Sequence, residues 1–321
     1  MGRRSWILMA VLAATWGASY LFIKVGLRDF DSAQVVCSRT ALGALVLLPI
    51  ALRGGTLAML LQRKRAAVVI AIIQVVIPFA LITVGEHHID SALAGILVAS
   101  APIFTALIAL RFDHAERSSG WGTVGIGVGI LGVALLFGVD LSGDSKTLLA
   151  GGGILIAGLC YAIGAMLIKR EMAGVPPAGV VASTMTISAL LTLPFALIHP
   201  PTSLGLDAAA SLLALGVLGT GLAFLIFYTL IAELGPRKAS LVAYIAPGFS
   251  VVYGAALLDE RITAATIGGL VLILAGSWMG AEGRAPWQRR SAPPGGTPPA
   301  TEPVAAVAVP PAKAASTAGS A

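Results

Sequence analysis

Residues Ala92–Arg117 read ALAGILVASAPIFTALIALRFDHAER. The run is apolar for about 20 residues, is interrupted once by Pro102, and closes on a charged turn. A helix of about 20 residues, rising ~1.5 Å per residue, spans roughly 30 Å, the thickness of a bilayer's hydrocarbon core. A second copy lies downstream at Ala239–Arg261, ASLVAYIAPGFSVVYGAALLDER. Pro102 and Pro247 stand 145 positions apart, and both copies end in a Glu-Arg pair, Glu116-Arg117 and Glu260-Arg261. The rest of the chain is organised around that doubling.

The 321 residues are 57% hydrophobic and 11% charged, with a mean hydropathy of +0.92. No water-soluble domain carries that balance, so the chain reads as an all-α polytopic membrane protein. A net charge of +6 is modest, and it is not the footprint of a nucleic-acid partner. Cys37 and Cys160 lie inside apolar runs; they form neither a disulfide framework nor a zinc spacing, and read as small buried side chains. The N-terminus, MGRRSWILMAVLAATWGASYLF, has the basic start and apolar core of a signal peptide, but the apolar run continues to Val25. It is expected to stay as an uncleaved first helix.

Ten apolar segments can be cut at charges, glycines and prolines. They run approximately Trp6–Val25, Gln34–Leu52, Ala66–Gly85, Ser91–Leu110, Trp121–Val139, Leu149–Ile168, Ala178–Ile198, Ala208–Ile231, Ala239–Leu258 and Ala265–Ala281. The longest connection, Arg53–Arg65, is too short for a soluble domain, which excludes a fused ATPase, kinase or protease. Residues 284–321 are rich in proline, alanine and glycine and carry no periodicity; they are expected to form a disordered cytoplasmic tail. Lysine and arginine placement sets the orientation. With both termini in the cytoplasm of a plasma-membrane protein, only Lys24, Arg28, Lys146 and Arg261 fall outside, and Arg39 falls within the second span.

The offset of 145 holds beyond one helix. Lys24 meets Lys169, Leu48-Pro49 meets Leu193-Pro194, Phe79 meets Phe224, and Ala101-Pro102 meets Ala246-Pro247. After the fourth span the offset slips to 144, where Glu116 meets Glu260. Residues 1–139 and 149–282 then each hold five spans. Five is odd, so the second repeat enters the membrane from the opposite side. The expected architecture is ten transmembrane helices as two inverted five-helix repeats, with a substrate chamber near the midplane between them.

The WGASYLFIKVGL stretch at Trp16–Leu27, the five-plus-five plan and the two Ala-Pro helices with their Glu-Arg turns resemble the EamA branch of the drug/metabolite transporter superfamily. The resemblance covers nearly all of residues 6–282. It implies a ten-helix bundle and transport, usually export, of amino acids or other small metabolites. The first turn departs from the pattern, reading FDHAER where the family has a shorter Gly-Glu-Arg-like form.

Candidate functional residues follow from what a bilayer does not tolerate. Pro102 and Pro247 each free a carbonyl four residues earlier, at Val98 and Ala243, and read as bends lining a chamber; a fixed packing kink is the plainer reading. Pro78 frees the carbonyl of Gln74, but Ala223 is its counterpart, so that kink belongs to one half. Trp16, Tyr20 and Lys24 share one stripe, matched by Tyr161, Ala165 and Lys169. Trp16, Tyr20 and Tyr161 are candidates to stack on an organic substrate, whereas the lysines read as snorkelling anchors. Gln74, Ser100, Thr220 and Tyr244 are polar groups inside spans and must face other helices or a wet cavity. Arg39 is an intramembrane cation and a binding candidate, although snorkelling to the outer headgroups, or pairing with Asp29 or Asp31, is the plainer explanation.

Glu86, His87, His88 and Asp90 cluster at the outer end of the third span and could relay protons or bind metal; adjacent histidines point apart on a helix, which disfavours a metal, and a solvated loop is the better reading. No Asp or Glu lies deep in a span, so the usual carboxylate of proton coupling has no evident candidate. Gly127–Gly132 matches GxGxxG but sits within a span, and no cofactor is implied. Gly125/Gly129 and Gly276/Gly280 have GxxxG spacing, which assigns the fifth and tenth helices to scaffold packing or a homodimer contact.

The expected function is a secondary carrier exporting amino acids or other small organic metabolites by alternating access. A nucleotide-sugar or lipid-linked sugar carrier of the same fold would need more cations than Arg39 alone. A passive channel or scaffold is the reading from another class. A membrane-embedded enzyme is disfavoured, because the spans hold no paired carboxylates, nucleophile-base pair or metal ligands.

Overall fold

A chain in hydrocarbon must satisfy its own backbone, which helices do. In the computed structural model, which describes residues 2–53, 56–112, 120–141, 144–198, 201, 203–234 and 236–282, every regular element is a helix. The Glu116-Arg117 turn and the tail from residue 284 lie outside the described residues.

Among the described residues eight helices are long and apolar enough to cross a membrane. They are the first span, Arg3–Gly26; the second, Ser32–Arg53; the third, Lys64–Gly85; the fourth, Ser91–Ile108; the fifth, Gly120–Val139; the sixth, Ser145–Glu171; the seventh, Pro177–Ala196; and the eighth, Leu206–Leu234. Two shorter apolar helices, here the ninth and tenth, follow at Val242–Leu257 and Ala264–Glu282. The outer face is apolar: Leu45, Leu131, Leu149 and Val271 are exposed, as lipid-facing side chains would be.

The first span packs on the eighth and ninth, the sixth on the third and fourth, the second on the seventh, and the fifth on the tenth. The fourth span is the most enclosed, with Ser91–Leu97 buried without interruption. The GxxxG stripes explain the fifth–tenth contact. A Cβ at Gly276 would lie 2.3 Å from the Gly129 nitrogen, and one at Gly125 2.5 Å from Met279 Cβ. This stripe is therefore covered within the chain rather than left free for a second copy.

Carboxylates tie the helices together at one end. Asp31 accepts from the Gln34 amide at 2.8 Å while Gln34 Oε1 accepts from the Asp31 amide at 3.0 Å, a reciprocal cap on the second span. Asp144 caps the sixth span through the Thr147 amide. Other caps are supplied from distant sequence. Glu260 accepts from the amides of Ser91 (2.7 Å) and Ala92 (3.0 Å) at the start of the fourth span. Asp29 accepts from the Gly205 amide (2.8 Å) and from Ser203 Oγ ahead of the eighth span. Asp140 accepts from the hydroxyls of Thr263 (2.6 Å) and Thr266 (2.8 Å) at the tenth. Each carboxylate sits where helix amides point outward unpaired, and where the helix dipole favours negative charge.

The helices depart from regular winding at matched places. Ile72–Val76 in the third span and Val217–Leu222 in the eighth are π-helical, and their first residues are 145 positions apart. The distortion thus occurs in both spans, although only the third carries a proline there, Pro78. The prolines of the opening stretch behave differently from one another. The fourth span stops at Val98 and resumes at Ala101, so Pro102 sits just inside a new helical segment. Pro247 lies within the unbroken helix Val242–Leu257.

Replacing Gly276 by Val should destabilise the protein by at least about 2 kcal/mol, because backbone and not a movable side chain opposes the new atoms. Gly127→Ala, which meets nothing within 4 Å, should stay within about 0.5 kcal/mol of the parent. Thermal unfolding of the detergent-solubilised protein compares the two.

Candidate functional site

Arg39 enters the bundle from the second span and is held from two sides. Its Nε donates to Thr220 Oγ1 at 3.0 Å, and its guanidinium carbon stands 3.8 Å from the centroid of the Phe79 ring. The Thr220 hydroxyl in turn donates to the Leu215 carbonyl, five residues back, at 3.0 Å. That bond fixes the hydroxyl so that its lone pairs face the arginine. Thr220 belongs to the π-helical segment, where the wider turn displaces side chains from the regular helical face. Gly43, one turn beyond Arg39, makes the approach possible: a Cβ there would lie 2.7 Å from Thr220 Cγ2. The pairing with Asp29 or Asp31 considered from sequence is not what holds Arg39, since those carboxylates cap the eighth and second spans.

Two tyrosines complete the surroundings of the cation. Tyr20 and Tyr161 both lie within electrostatic reach of Arg39 and of each other. The Tyr20 ring lies against Gly95 of the fourth span. Tyr161 packs against the large central core and also against the Phe79 cluster, so it joins two apolar groups. Trp16 stands one turn away from Tyr20 and is enclosed by aromatic rings, with centroids 5.2 Å from Phe227 and 6.0 Å from Phe224. Phe224 occupies the position matched to Phe79.

The remaining candidates are attached elsewhere. Gln74, in the first π-helical segment, lies against Gly164 of the sixth span, and its Oε1 is buried with no hydrogen-bond partner among the described residues. Ser100 lies at the break in the fourth span, and Tyr244 lies on the ninth. Ser100 Oγ donates to the Leu97 carbonyl at 2.6 Å. Tyr244 Oη donates to the Ser277 carbonyl (3.4 Å), and Ser277 Oγ donates to the carbonyl of Ala99 (3.1 Å). The Ser277 hydroxyl thereby satisfies the Ala99 carbonyl at the break, where the Ile103 amide donates to Ser100 instead.

Two readings of the sequence change. Lys24 is not a snorkelling anchor: its Nζ donates to the carbonyls of Glu86 (2.6 Å) and Ile89 (2.7 Å), closing the turn between the third and fourth spans. The solvated-loop reading holds for His87 and His88, which are exposed, but not for Glu86, which is 0% exposed. Glu86 follows the last helical residue, so its position in the chain carried no sign of enclosure. Only the turn folding beneath Lys24 and against the fourth span buries it. Phe79 and Ser277 were also missed as contributors. The Phe79–Phe224 match was a signal for the first; nothing local marked the second.

The model of the EamA-like transporter family matches residues 4–138 and again residues 149–280. The chain is 25% identical over 280 residues to the uncharacterized transporter YoaV of Bacillus subtilis strain 168, covering 85% of this chain and 96% of that protein. It is 28% identical over 256 residues to the uncharacterized inner membrane transporter YedA of Escherichia coli K12, covering 77% and 81%. A protein of the same strain named a probable amino-acid metabolite efflux pump is 24% identical over 290 residues, covering 87% and 95%. A solved crystal structure superimposes with a TM-score of 0.63 at 17% identity, over 88% of this chain and 98% of that one, and so shares its fold. With the family model matched along most of its length, this chain belongs to the EamA-like transporter family.

Proposed function

We propose that the protein is a secondary transporter built from two inverted five-helix halves, residues 1–139 and 149–282, and that it exports amino acids or other small organic metabolites by alternating access. Three observations support the inverted plan. The packing pairs are exchanged when five is added to each span number: first–ninth becomes sixth–fourth, first–eighth becomes sixth–third, and second–seventh and fifth–tenth map onto themselves. The π-helical segments recur at the sequence offset. The family model matches twice along the chain.

The observation that carries the substrate reading is Arg39, held across the two halves by Thr220 of one and Phe79 of the other. A guanidinium in a low-dielectric crevice recognises a carboxylate by paired charged hydrogen bonds. Tyr20 and Tyr161 supply flat apolar faces with polar tips, suited to a small organic solute. Among the described residues the phenolic and charged groups acting on Arg39 are Tyr161, Tyr20 and Glu86, with no second cation among these three. A substrate with two phosphates, such as a nucleotide-sugar, would leave charge unmatched there. The family relative named as an amino-acid metabolite efflux pump agrees with this reading. The proposed orientation puts both termini in the cytoplasm of the inner membrane, as the basic residues favour.

Full-length protein in liposomes should take up a labelled amino-acid mixture saturably, without ATP, by exchange against internal unlabelled mixture. Arg39→Ala should lower that exchange about 10- to 100-fold, the loss expected for a charged hydrogen bond, with Arg39→Lys intermediate. Unchanged exchange in Arg39→Ala would remove the arginine from the site.

Orientation is tested by the matched exposed pair Arg28 and Ala173, each changed to cysteine in a background lacking Cys37 and Cys160. An impermeant thiol reagent applied to intact cells should label the first and not the second. Labelling of both from one side would overturn the inverted arrangement.

A further inference from the structure

Glu86 is the anomaly of the structure. It is 0% exposed, and neither carboxylate oxygen has a hydrogen-bond partner among the described residues. Cations are near, but they are engaged elsewhere. Lys24 Nζ donates to the backbone carbonyls of Glu86 and Ile89 rather than to the Glu86 side chain. Arg39 is directed to Thr220 and Phe79. The groups acting on Glu86 are Lys24 and Tyr20 of the first span, Arg39 of the second, and Glu260 from the turn after the ninth. Along its own turn lie His87 and His88, which are exposed, and the half-buried Asp90. The sixth span presents Ile154 to the neighbouring Gly85. An ionised carboxylate left unpaired in such surroundings is far costlier than a neutral acid.

We propose that the Glu86 carboxyl is a proton-binding site, occupied in the sealed arrangement seen here, which releases its proton to water when this end of the molecule opens. The seal is built from few bonds. Lys24 holds the turn to the first span, and Glu260 holds the start of the fourth span through the amides of Ser91 and Ala92. Gly254 keeps that carboxylate in place, since a Cβ there would lie 2.2 Å from Glu260 Oε2. Glu260 and Glu86 belong to different sequence repeats, so relative movement of the halves breaks the seal and lets water reach the acid. The proton leaves the carboxyl oxygen for water on opening and returns on closing. Because protonation favours the closed form, the pH on this side biases the opening equilibrium, and the opening state sets the proton's affinity in return. This rests on the transporter reading above and adds a dependence of its opening on the pH of this side.

The direction of the group's titration agrees. Burial raises the Glu86 carboxyl well above the usual carboxylate range; Lys24 opposes that, Glu260 adds to it, and Arg39 opposes it. A raised value in the folded state means that the folded protein binds more protons than the unfolded chain above the ordinary glutamate value of about 4.3. Stability contributed by this group is complete below that value and is lost as pH rises through the folded-state value. The wild type should therefore lose melting temperature on the alkaline side, and Glu86→Gln, isosteric with the neutral acid, should show a flatter profile.

The decisive measurement is infrared difference spectroscopy of the full-length protein across a pH titration. A carboxylic-acid carbonyl band persisting at neutral pH, shifted in Glu86→Asp and absent in Glu86→Gln, is expected. If no band at neutral pH responds to either substitution, Glu86 is already ionised and the proposal fails. Exchange of the labelled amino-acid mixture in liposomes, measured across a pH series, then tests the link to opening. Glu86→Gln should retain exchange but lose its dependence on the pH at this end of the molecule, and a pH dependence equal to wild type would overturn the coupling of protonation to opening. Should neither protein move any labelled amino acid, the substrate reading falls, while the infrared titration still decides the proton site.

Discussion

Inside hydrocarbon, a backbone amide or carbonyl that leaves its helix has no water to turn to. That constraint governs where this protein is irregular. The helical ladder is loosened at Ile72–Val76 and Val217–Leu222 and interrupted ahead of Pro102. At each place a polar side chain of the interior is found: Gln74, Thr220 and Ser100. Repair is made by hydroxyls, from Thr220 to Leu215, from Ser100 to Leu97 and from Ser277 to Ala99. Thr220 does double duty, since its hydroxyl donates to its own helix and accepts from Arg39.

Close approach of helices separates scaffold from site. Lipid tails are as apolar as leucine, so helices associate through packing and hydrogen bonds rather than by escaping water. Between the fifth and tenth spans glycine faces glycine, and the backbones meet without an intervening side chain. Between the second and eighth the pattern is mixed. Gly216 accommodates Leu42 and Gly221 accommodates Val46, while Gly43 faces Thr220 and leaves room for the arginine beside it. One interface is filled by backbone and is suited to stay fixed. The other holds a cation against a hydroxyl, with the Phe79 ring of the third span beside it.

Electrostatics are arranged by helix ends rather than by surface ion pairs. Asp31, Asp144, Glu260, Asp29 and Asp140 all serve amides or hydroxyls at helix starts. At the opposite end basic groups do the reverse work: Arg63 donates to the carbonyls of Glu171 and Ala173, where the sixth span finishes. Asp259, with φ of 54°, turns the chain sharply so that Glu260 reaches the fourth span. Glu86 stands outside this pattern as a buried carboxylate that caps nothing, which is why its protonation matters.

Apolar length and charge placement were enough, in the sequence alone, to determine a helical membrane protein with its spans near their observed positions, because hydrophobic thickness and backbone satisfaction are local requirements. The offset of 145 likewise matches the first residues of the two π-helical segments. Residues whose meaning is their own chemistry, such as Arg39 among apolar neighbours, stood out for the same reason. What tertiary structure alone decided was partnership. Thr220 lies 181 positions from Arg39, and Glu260 lies 169 from Ser91, and no local pattern couples residues so distant. Burial of Glu86 likewise depends on Lys24 and on the fourth span folding over the turn. A charged residue just past a helix end faces water or protein according to what packs over it, and that is fixed only when the whole bundle assembles.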